Sequence, residues 1–248
     1  MKNEIPIYKM KVRTIMNQEE KKIHNCCEEH AISMPLIGDP APEFKAVTTN
    51  GPIDFPKDYE GKWVVLFSHP ADFTPVCTTE FMTFAHMQKE FDELNTELLG
   101  LSIDSVHSHS AWLQSVEKLE WKDIKQPEMK FPVIDDVSMN VARKYGMLQG
   151  GSKTATIRAV FIIDPKGIVR LIMYYPASTG RNFDEIKRTV LALQKADKDG
   201  VATPADWRPG DDTIDPNPPT KEELQKRLAD PGDDRYCLDW YLCFRKEK

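Results

Sequence analysis

No run in these 248 residues approaches the roughly 20 consecutive apolar side chains that a membrane-crossing helix needs. The first residues, MKNEIPIYKMKVRTIMNQEEKK, hold no apolar stretch of the secretory-signal kind, so the chain is expected in the cytoplasm. There is no glycine-rich phosphate loop, which leaves nucleotide use without support. There is no Cys-x-x-Cys pair, which removes the usual dithiol exchange centre and the paired elements of a zinc site. Positive charge is not in excess either. The net charge of −6 argues against nucleic acid or an anionic membrane as the main partner. Cysteines number only five, and in a reducing compartment those are more often catalytic, redox-active or inert than structural staples. Nothing calls for a cofactor or a metal.

What is present is an ordinary globular composition, with 40% hydrophobic and 29% charged residues. The organisation reads as head, core and tail. Residues 1–33 form a polar N-terminal extension, with Met34 as an alternative start. Residues 34–198 form the main domain, entered through the Pro- and Gly-punctuated run Met34 to Pro42. Residues 199–248 form a C-terminal arm and dimerisation tail. In the core, Trp63–Phe67 and Glu97–Asp104 read as buried strands. Phe81, Phe84, Phe91 and Leu94 recur on one helix face between them. A helix from about Ser108 to Lys118 is followed by a strand ending at Ile134 and a short helix, capped by Asp135-Asp136, through Tyr145. Ile157–Ile163 and Ile168–Tyr174 flank the hairpin signal Asp164-Pro165-Lys166-Gly167. A last amphipathic helix runs from Asn182 to about Ala196. Strands separated by helices and closing on a hairpin predict an α/β fold with a mixed central sheet. Beyond Gly200, prolines at 204, 209, 216, 218 and 219 predict an extended linker. A short helix follows over Lys221–Leu228. The chain then closes on an aromatic tail, Tyr236 to Phe244, which needs a partner subunit to cover it.

The chemical signal is Ser68-His69-Pro70-Ala71-Asp72-Phe73-Thr74-Pro75-Val76-Cys77-Thr78-Thr79-Glu80. It leaves a buried strand and opens a helix. Pro75 discourages helix at Thr74, so Cys77 falls in the first helical turn. Free N–H groups and the helix dipole there favour an anion, and the thiolate is the reactive form of cysteine. The Thr74 hydroxyl lies within reach of the sulfur or of an oxygen bound beside it.

Pro70-x-x-x-Thr74-x-x-Cys77 resembles the active-site signature of the peroxiredoxins. The longer run SHPADFTPVCTTEF is similar to the branch holding the one-cysteine members and their archaeal and bacterial relatives. The resemblance extends from about Pro35 to Phe244. It implies a thioredoxin-like fold and the reduction of hydrogen peroxide and organic hydroperoxides through a cysteine sulfenic acid. It implies Cys77 as the attacking residue, Thr74 as the peroxide-binding threonine, Pro70 as a shield of the thiolate, and Arg158 as the arginine completing the site. His69 and Glu80 match residues flanking the site in this branch, and Arg181 matches a second arginine. Family members work with a reducing thiol protein such as thioredoxin or a glutaredoxin-like protein, and as dimers commonly joined into decameric rings. The lipase element of some one-cysteine members is not expected, since its serine and histidine positions hold Lys62 and Pro56.

Cys243 and Cys237 match a two-cysteine tail of the archaeal-type relatives and are candidates to resolve Cys77 of a neighbouring subunit, with resolution by an external thiol as the alternative. On a helix their Cα atoms would lie roughly 9 Å apart, beyond the roughly 7 Å limit for a direct bridge, so no bond between them is expected. Cys26-Cys27 with His24 and His30 lacks metal-ligand spacing. His107 and His109 are expected in solvent. A non-catalytic holdase built on the apolar tail is the competing function.

Overall fold

The computed structural model describes residues 34–148, 155–218, 220–230 and 232–247. His24, Cys26, Cys27 and His30 lie outside them, as does the expected extension 1–33. The centre is a seven-stranded sheet in the order β2-β1-β7-β4-β3-β8-β9. Its strands are β1 (Phe44–Thr48), β2 (Gly51–Phe55), β3 (Trp63–Ser68), β4 (Thr96–Ser102), β7 (Val133–Asp135), β8 (Arg158–Ile163) and β9 (Val169–Tyr175), while β5 (Glu120–Trp121) and β6 (Ile124–Lys125) pair separately outside it. β3, β4 and β7 run parallel, whereas β1, β2, β8 and β9 pair antiparallel, so the sheet is mixed. The fold is thioredoxin-like α/β with a C-terminal extension, in agreement with the sequence.

β3 is buried along its whole length, and its alternation divides the core. Val65 and Phe67 face Phe81, Phe84, Phe91, Trp112 and Phe183. Val64 and Leu66 face Phe44, Phe55, Leu99, Tyr145 and Phe161 on the other side. A two-residue period places consecutive side chains on opposite faces, so a run of apolar residues fills both layers.

Helix α1 (Pro75–Glu93) starts where the sequence requires. Thr74 is extended (φ −105°, ψ 144°), and Pro75, which has no N–H to lose, takes the first helical position. α2 (Val106–Val116) begins at Ser105, whose side chain accepts the Ser108 N–H. α3 (Asn140–Lys144) is held by Asp136, which accepts the Val141 and Ala142 N–H groups. α4 (Phe183–Asp199) is capped by Asn182 and stops at Gly200, whose φ of +62° suits glycine.

Two expectations for the arm are corrected. The proline-bearing segment is docked as well as extended. Trp207 is buried, its Nε1 donates to the Asp211 carbonyl, and Thr213–Ile214 forms strand β10. The Trp207 anchor and a short ladder outweigh the prolines around them. The tail after α5 (Lys221–Ala229) is a hairpin, not a helix: β11 (Arg235–Asp239) pairs antiparallel with β12 (Leu242–Arg245). In that register Cys237 and Cys243 are directly opposite, with Cα atoms 4.0 Å apart, and they form a disulfide. The expectation that they lie too far apart fails because its rise per residue was helical. A hairpin folds the six-residue separation back on itself.

Candidate active site

Cys77 is the third residue of α1 and is fully buried. Among the described residues it is the free cysteine. The loop from Ser68 to Thr74 turns β3 into α1 through Phe73, a non-glycine residue with φ of +57°. The left-handed conformation is unfavourable for a side chain of this size, so neighbouring contacts must hold the turn.

Arg158, the first residue of β8, reaches across to the cysteine. Its Nη1 lies 3.2 Å from Cys77 Sγ and 2.8 Å from Glu80 Oε2. Its Nε and Nη2 donate to the Ala177 carbonyl at 3.2 and 2.9 Å. Glu80, one helical turn beyond Cys77, is the hub of the cluster. Oε2 also accepts from Arg181 Nη2 (2.6 Å), and Oε1 accepts from Arg181 Nε (3.0 Å) and its backbone N–H (2.8 Å). Arg181 Nη1 donates to the carbonyls of Ser68 and Ala159, at 3.0 and 3.1 Å, and the guanidinium lies over Phe67. Burial pushes the Arg181 guanidinium below its ordinary range, opposed by Glu80 and by the cysteine beside it. Two guanidiniums against one carboxylate leave one uncompensated positive charge in a dry site. A thiolate at Cys77 neutralises it. An anionic sulfur formed there meets the Arg158 donor already in place.

The structure thus brings together Cys77, Arg158, Glu80 and Arg181. Thr74 sits at the helix cap, where its hydroxyl donates to the Ala71 carbonyl at 2.8 Å rather than to the sulfur. The lone pairs of that hydroxyl remain acceptors. Pro70 lies in the same loop, half-buried. The tail cysteines are bonded to each other.

His69 is buried, and its Nε2 lies 2.9 Å from Asp72 Oδ1. The structure corrects the expectation for His109. This residue is buried in α2, with Nδ1 2.9 Å from Asp72 Oδ2 and Nε2 3.0 Å from the Ile134 carbonyl. His107 is exposed, as expected. A signal for His109 lay in the sequence. It precedes Trp112, Leu113 and Val116 by three, four and seven residues, the spacing of one buried helix face. Asp72 was missed altogether, because an aspartate in a loop gives no sign of its partners. It ties the loop to α2 through His109 and to the end of β4 through its backbone N–H, which donates to Asp104 Oδ2 at 3.0 Å.

Among the described residues, the donor atoms of His69, Asp72 and His109 come within 4.8 Å of one another, close enough to hold a metal ion. Most of those donors are engaged with one another and with the Ile134 carbonyl, which clamps the loop to α2, whereas His69 Nδ1 is buried without a hydrogen-bond partner among the described residues. Burial tends to raise the Asp72 carboxyl, but hydrogen bonds from His109 and His69 outweigh it and hold the group well below the usual carboxylate range. Burial is also the largest effect on His69, and it favours the neutral ring despite Asp72.

A pH dependence follows. The folded chain binds a proton at His69 less readily than the unfolded chain, whose histidine titrates near ~6.5. As pH falls below that value the unfolded state takes up a proton that the folded state refuses, and stability drops by up to about 1.4 kcal/mol per pH unit. The depressed Asp72 acts in the same direction only at lower pH, below about 3.9. Urea midpoints measured between pH 7 and 5 are expected to fall for the wild type and to fall less for His69→Gln. Parallel slopes would contradict the assignment.

Comparison with known proteins agrees with this geometry. Residues 37–172 match the model of the AhpC/TSA family, and residues 192–230 match that of the C-terminal domain of 1-Cys peroxiredoxin. A peroxiredoxin of Methanosarcina mazei is 61% identical over 216 residues, covering 86% of this chain and 99% of that protein. A peroxiredoxin of Aquifex aeolicus is 50% identical, covering 87% and 98%. Among solved structures, a yeast mitochondrial 1-Cys peroxiredoxin, solved for its thiol-resolving mechanism via glutathione/thioredoxin systems, superposes with a TM-score of 0.74 at 41% identity, covering 86% of this chain and 100% of that one. A cysteine-to-serine mutant of peroxiredoxin 6 of Arenicola marina gives 0.74 at 34% identity, covering 86% and 98%.

Proposed function

The chain belongs to the peroxiredoxin family and is a thiol peroxidase, and from that premise we propose that Cys77 is the residue that attacks the peroxide. The observation that carries this reading is the Arg158 guanidinium, 3.2 Å from the sulfur and fixed there by Glu80. The Cys77 thiolate attacks one peroxide oxygen in line. A sulfur–oxygen bond forms as the oxygen–oxygen bond breaks. The departing oxygen carries the negative charge, takes a proton and leaves as water or an alcohol. Arg158 first holds the charge on sulfur and then meets it on the leaving oxygen. Thr74 accepts a hydrogen bond from the peroxide, and Pro70 keeps water from the thiolate. Arg181 supports the site through Glu80. His69 and Asp72 hold the loop.

The product is Cys77 sulfenic acid. A tail thiol of a neighbouring subunit condenses with it, releasing water and leaving a disulfide to Cys77. The second tail thiol then attacks that bond, frees Cys77 and leaves Cys237 joined to Cys243. An external dithiol, of the thioredoxin or glutaredoxin type, supplies the two electrons that reopen the tail disulfide. A bonded tail pair beside a free Cys77 is the pattern this sequence of steps ends in. Leu238, Trp240 and Tyr241 are exposed at the hairpin tip and suit burial against another subunit. The assembly proposed is a ring of dimers, most simply a decamer, acting in the cytoplasm. Native mass spectrometry gives its size.

The enzyme reading is tested by stopped-flow decay of hydrogen peroxide. The wild type is expected to react orders of magnitude faster than free cysteine at equal thiol concentration and pH. A rate no faster than free cysteine overturns it. The resolution steps are tested by disulfide mapping after one equivalent of peroxide. Cys237→Ser is expected to accumulate a covalent dimer joined through Cys77 and Cys243, because the second exchange is blocked. Cys243→Ser is expected to leave Cys77 unlinked. If neither variant accumulates a Cys77 disulfide, an external thiol resolves the sulfenic acid.

A further inference from the structure

β10 lies on the other side of β12 from β11, giving the order β10-β12-β11. Asp215, just beyond β10, is buried and is joined to the disulfide strands twice. Its backbone N–H donates to the Cys243 carbonyl at 3.0 Å. Its carboxylate accepts from Arg235 Nε and Arg245 Nη2. Arg235 stands two residues before Cys237 and Arg245 two residues after Cys243. They are register partners across the hairpin, on the same sheet face as the cysteine pair. Burial tends to raise the Asp215 carboxyl, but Arg235 and then Arg245 outweigh it and hold the carboxylate charged.

Two cations directly opposite one another on antiparallel strands repel and loosen the pair. Here they sit one ladder step from the bond. Arg235 has a second partner in Asp234, at 3.1 Å. Arg245 otherwise reaches only the Asp199 carbonyl, at 3.4 Å, and its buried Nε has no hydrogen-bond partner among the described residues. Asp215 is the charge that both share. On the opposite sheet face, Tyr236 and Phe244 stack at 5.1 Å and are indifferent to charge.

We infer that Asp215 is a positioning residue for the resolving cysteines: by neutralising Arg235 and Arg245 it holds Cys237 opposite Cys243 and drives their closure to the disulfide. The inference rests on the reading that the tail pair resolves Cys77. In the reduced tail, the clamp keeps two thiols at bonding distance, so the second thiol exchange runs toward Cys237–Cys243 and releases Cys77. Oxidation of the pair gives up two electrons and two protons, the same two electrons that Cys77 sulfenic acid must receive.

The test is the equilibrium of the tail pair against a dithiothreitol couple. The full-length protein is equilibrated, alkylated and digested, and the peptide spanning residues 237–243 is quantified by mass spectrometry, which excludes the other cysteines. Asp215→Asn is expected to lower the equilibrium constant for disulfide formation about tenfold, a shift of about 30 mV toward easier reduction. Asp215→Glu is expected to retain most of the wild-type value. The double variant Asp215→Asn/Arg235→Gln removes the repulsion together with the anion and is expected to return within about threefold of the wild type. A residue that merely fills space would not be rescued by deleting the charge of the arginine it pairs with. The double variant is also the arm that stands if Asp215→Asn alone does not fold.

A change of less than twofold in Asp215→Asn, or a double variant no closer to wild type than the single, overturns the inference. Turnover of Cys243→Ser separates this from the underlying reading. If that variant still cycles at the wild-type rate with an external dithiol, the tail does not resolve Cys77, whatever Asp215 does to the potential.

Discussion

Peroxide consumption is expected to vanish in Cys77→Ser, to the level of the buffer. The substitution is nearly isosteric at a fully buried position in the first turn of α1, and serine is compatible with a helix start. The fold and the Glu80–Arg158–Arg181 cluster should therefore survive, and the loss should be chemical. A serine hydroxyl stays neutral at pH 7 with no adjacent base to ionise it, so it offers the peroxide no effective nucleophile. Stopped-flow decay measured alongside a thermal melt distinguishes loss of chemistry from loss of structure. The same variant decides against the rival function. A holdase that works through its exposed tail would protect client proteins as well without the sulfur as with it. If Cys77→Ser retains more than a few per cent of the rate, another group in the chain does the chemistry.

Cys77, the proposed nucleophile, stands out in the sequence because its signal is local. Strand β3, the loop prolines, Thr74 and the start of α1 all fall within about twenty residues, and each is a one-dimensional pattern. The hairpin at Asp164–Gly167 and the mixed sheet were legible for the same reason. β1 and β2 were not. They pair across a two-residue turn and are half-exposed, so no apolar run announces them.

Two further misses have opposite physical causes. The sequence suggested Glu80 only as a flanking residue, but its place as the hub depends on Arg158 and Arg181, 78 and 101 positions away. A buried carboxylate is stable only when such partners arrive, and nothing near Glu80 in the chain records their arrival. The tail failed for the opposite reason. Its signal was local but was read with the wrong period. Arg235 to Arg245 is too short to distinguish a helix from a hairpin by hydrophobic pattern, and the two periods place Cys237 and Cys243 at opposite extremes of separation. A one-residue difference in spacing would have rotated one sulfur by about 100° around a helix. In the hairpin it would have moved one sulfur to the other face of the sheet.

The charge arithmetic of the site sets the second large effect. Arg158→Met removes the cation nearest the sulfur and leaves Glu80 paired with Arg181, an overall neutral pair with every carboxylate oxygen still occupied. The variant should fold, because the costly outcome, a buried charge without its partner, is avoided. Its chemistry should suffer twice. The positive charge that favours the thiolate is gone, and so is the donor that meets charge on the leaving oxygen. Removing one such preorganised donor typically costs about 10²–10³ in rate, and the second-order rate constant with hydrogen peroxide at pH 7 is expected to fall by at least that much. The two losses separate by pH. Raising the pH restores thiolate but cannot restore the donor, so the variant should recover part of its deficit in alkali and then level off below the wild type. Full recovery at high pH would show that Arg158 acts only on the thiolate. The matching change at Arg181 should behave differently. Arg181→Met strips Glu80 of two hydrogen bonds and removes the guanidinium packed on Phe67, and the loss of a buried partner costs about 3–5 kcal/mol. It is expected to lower the melting temperature before it lowers the rate. That contrast, a kinetic defect at Arg158 and a stability defect at Arg181, divides one carboxylate's two partners into the group that touches the reaction and the group that holds it in place.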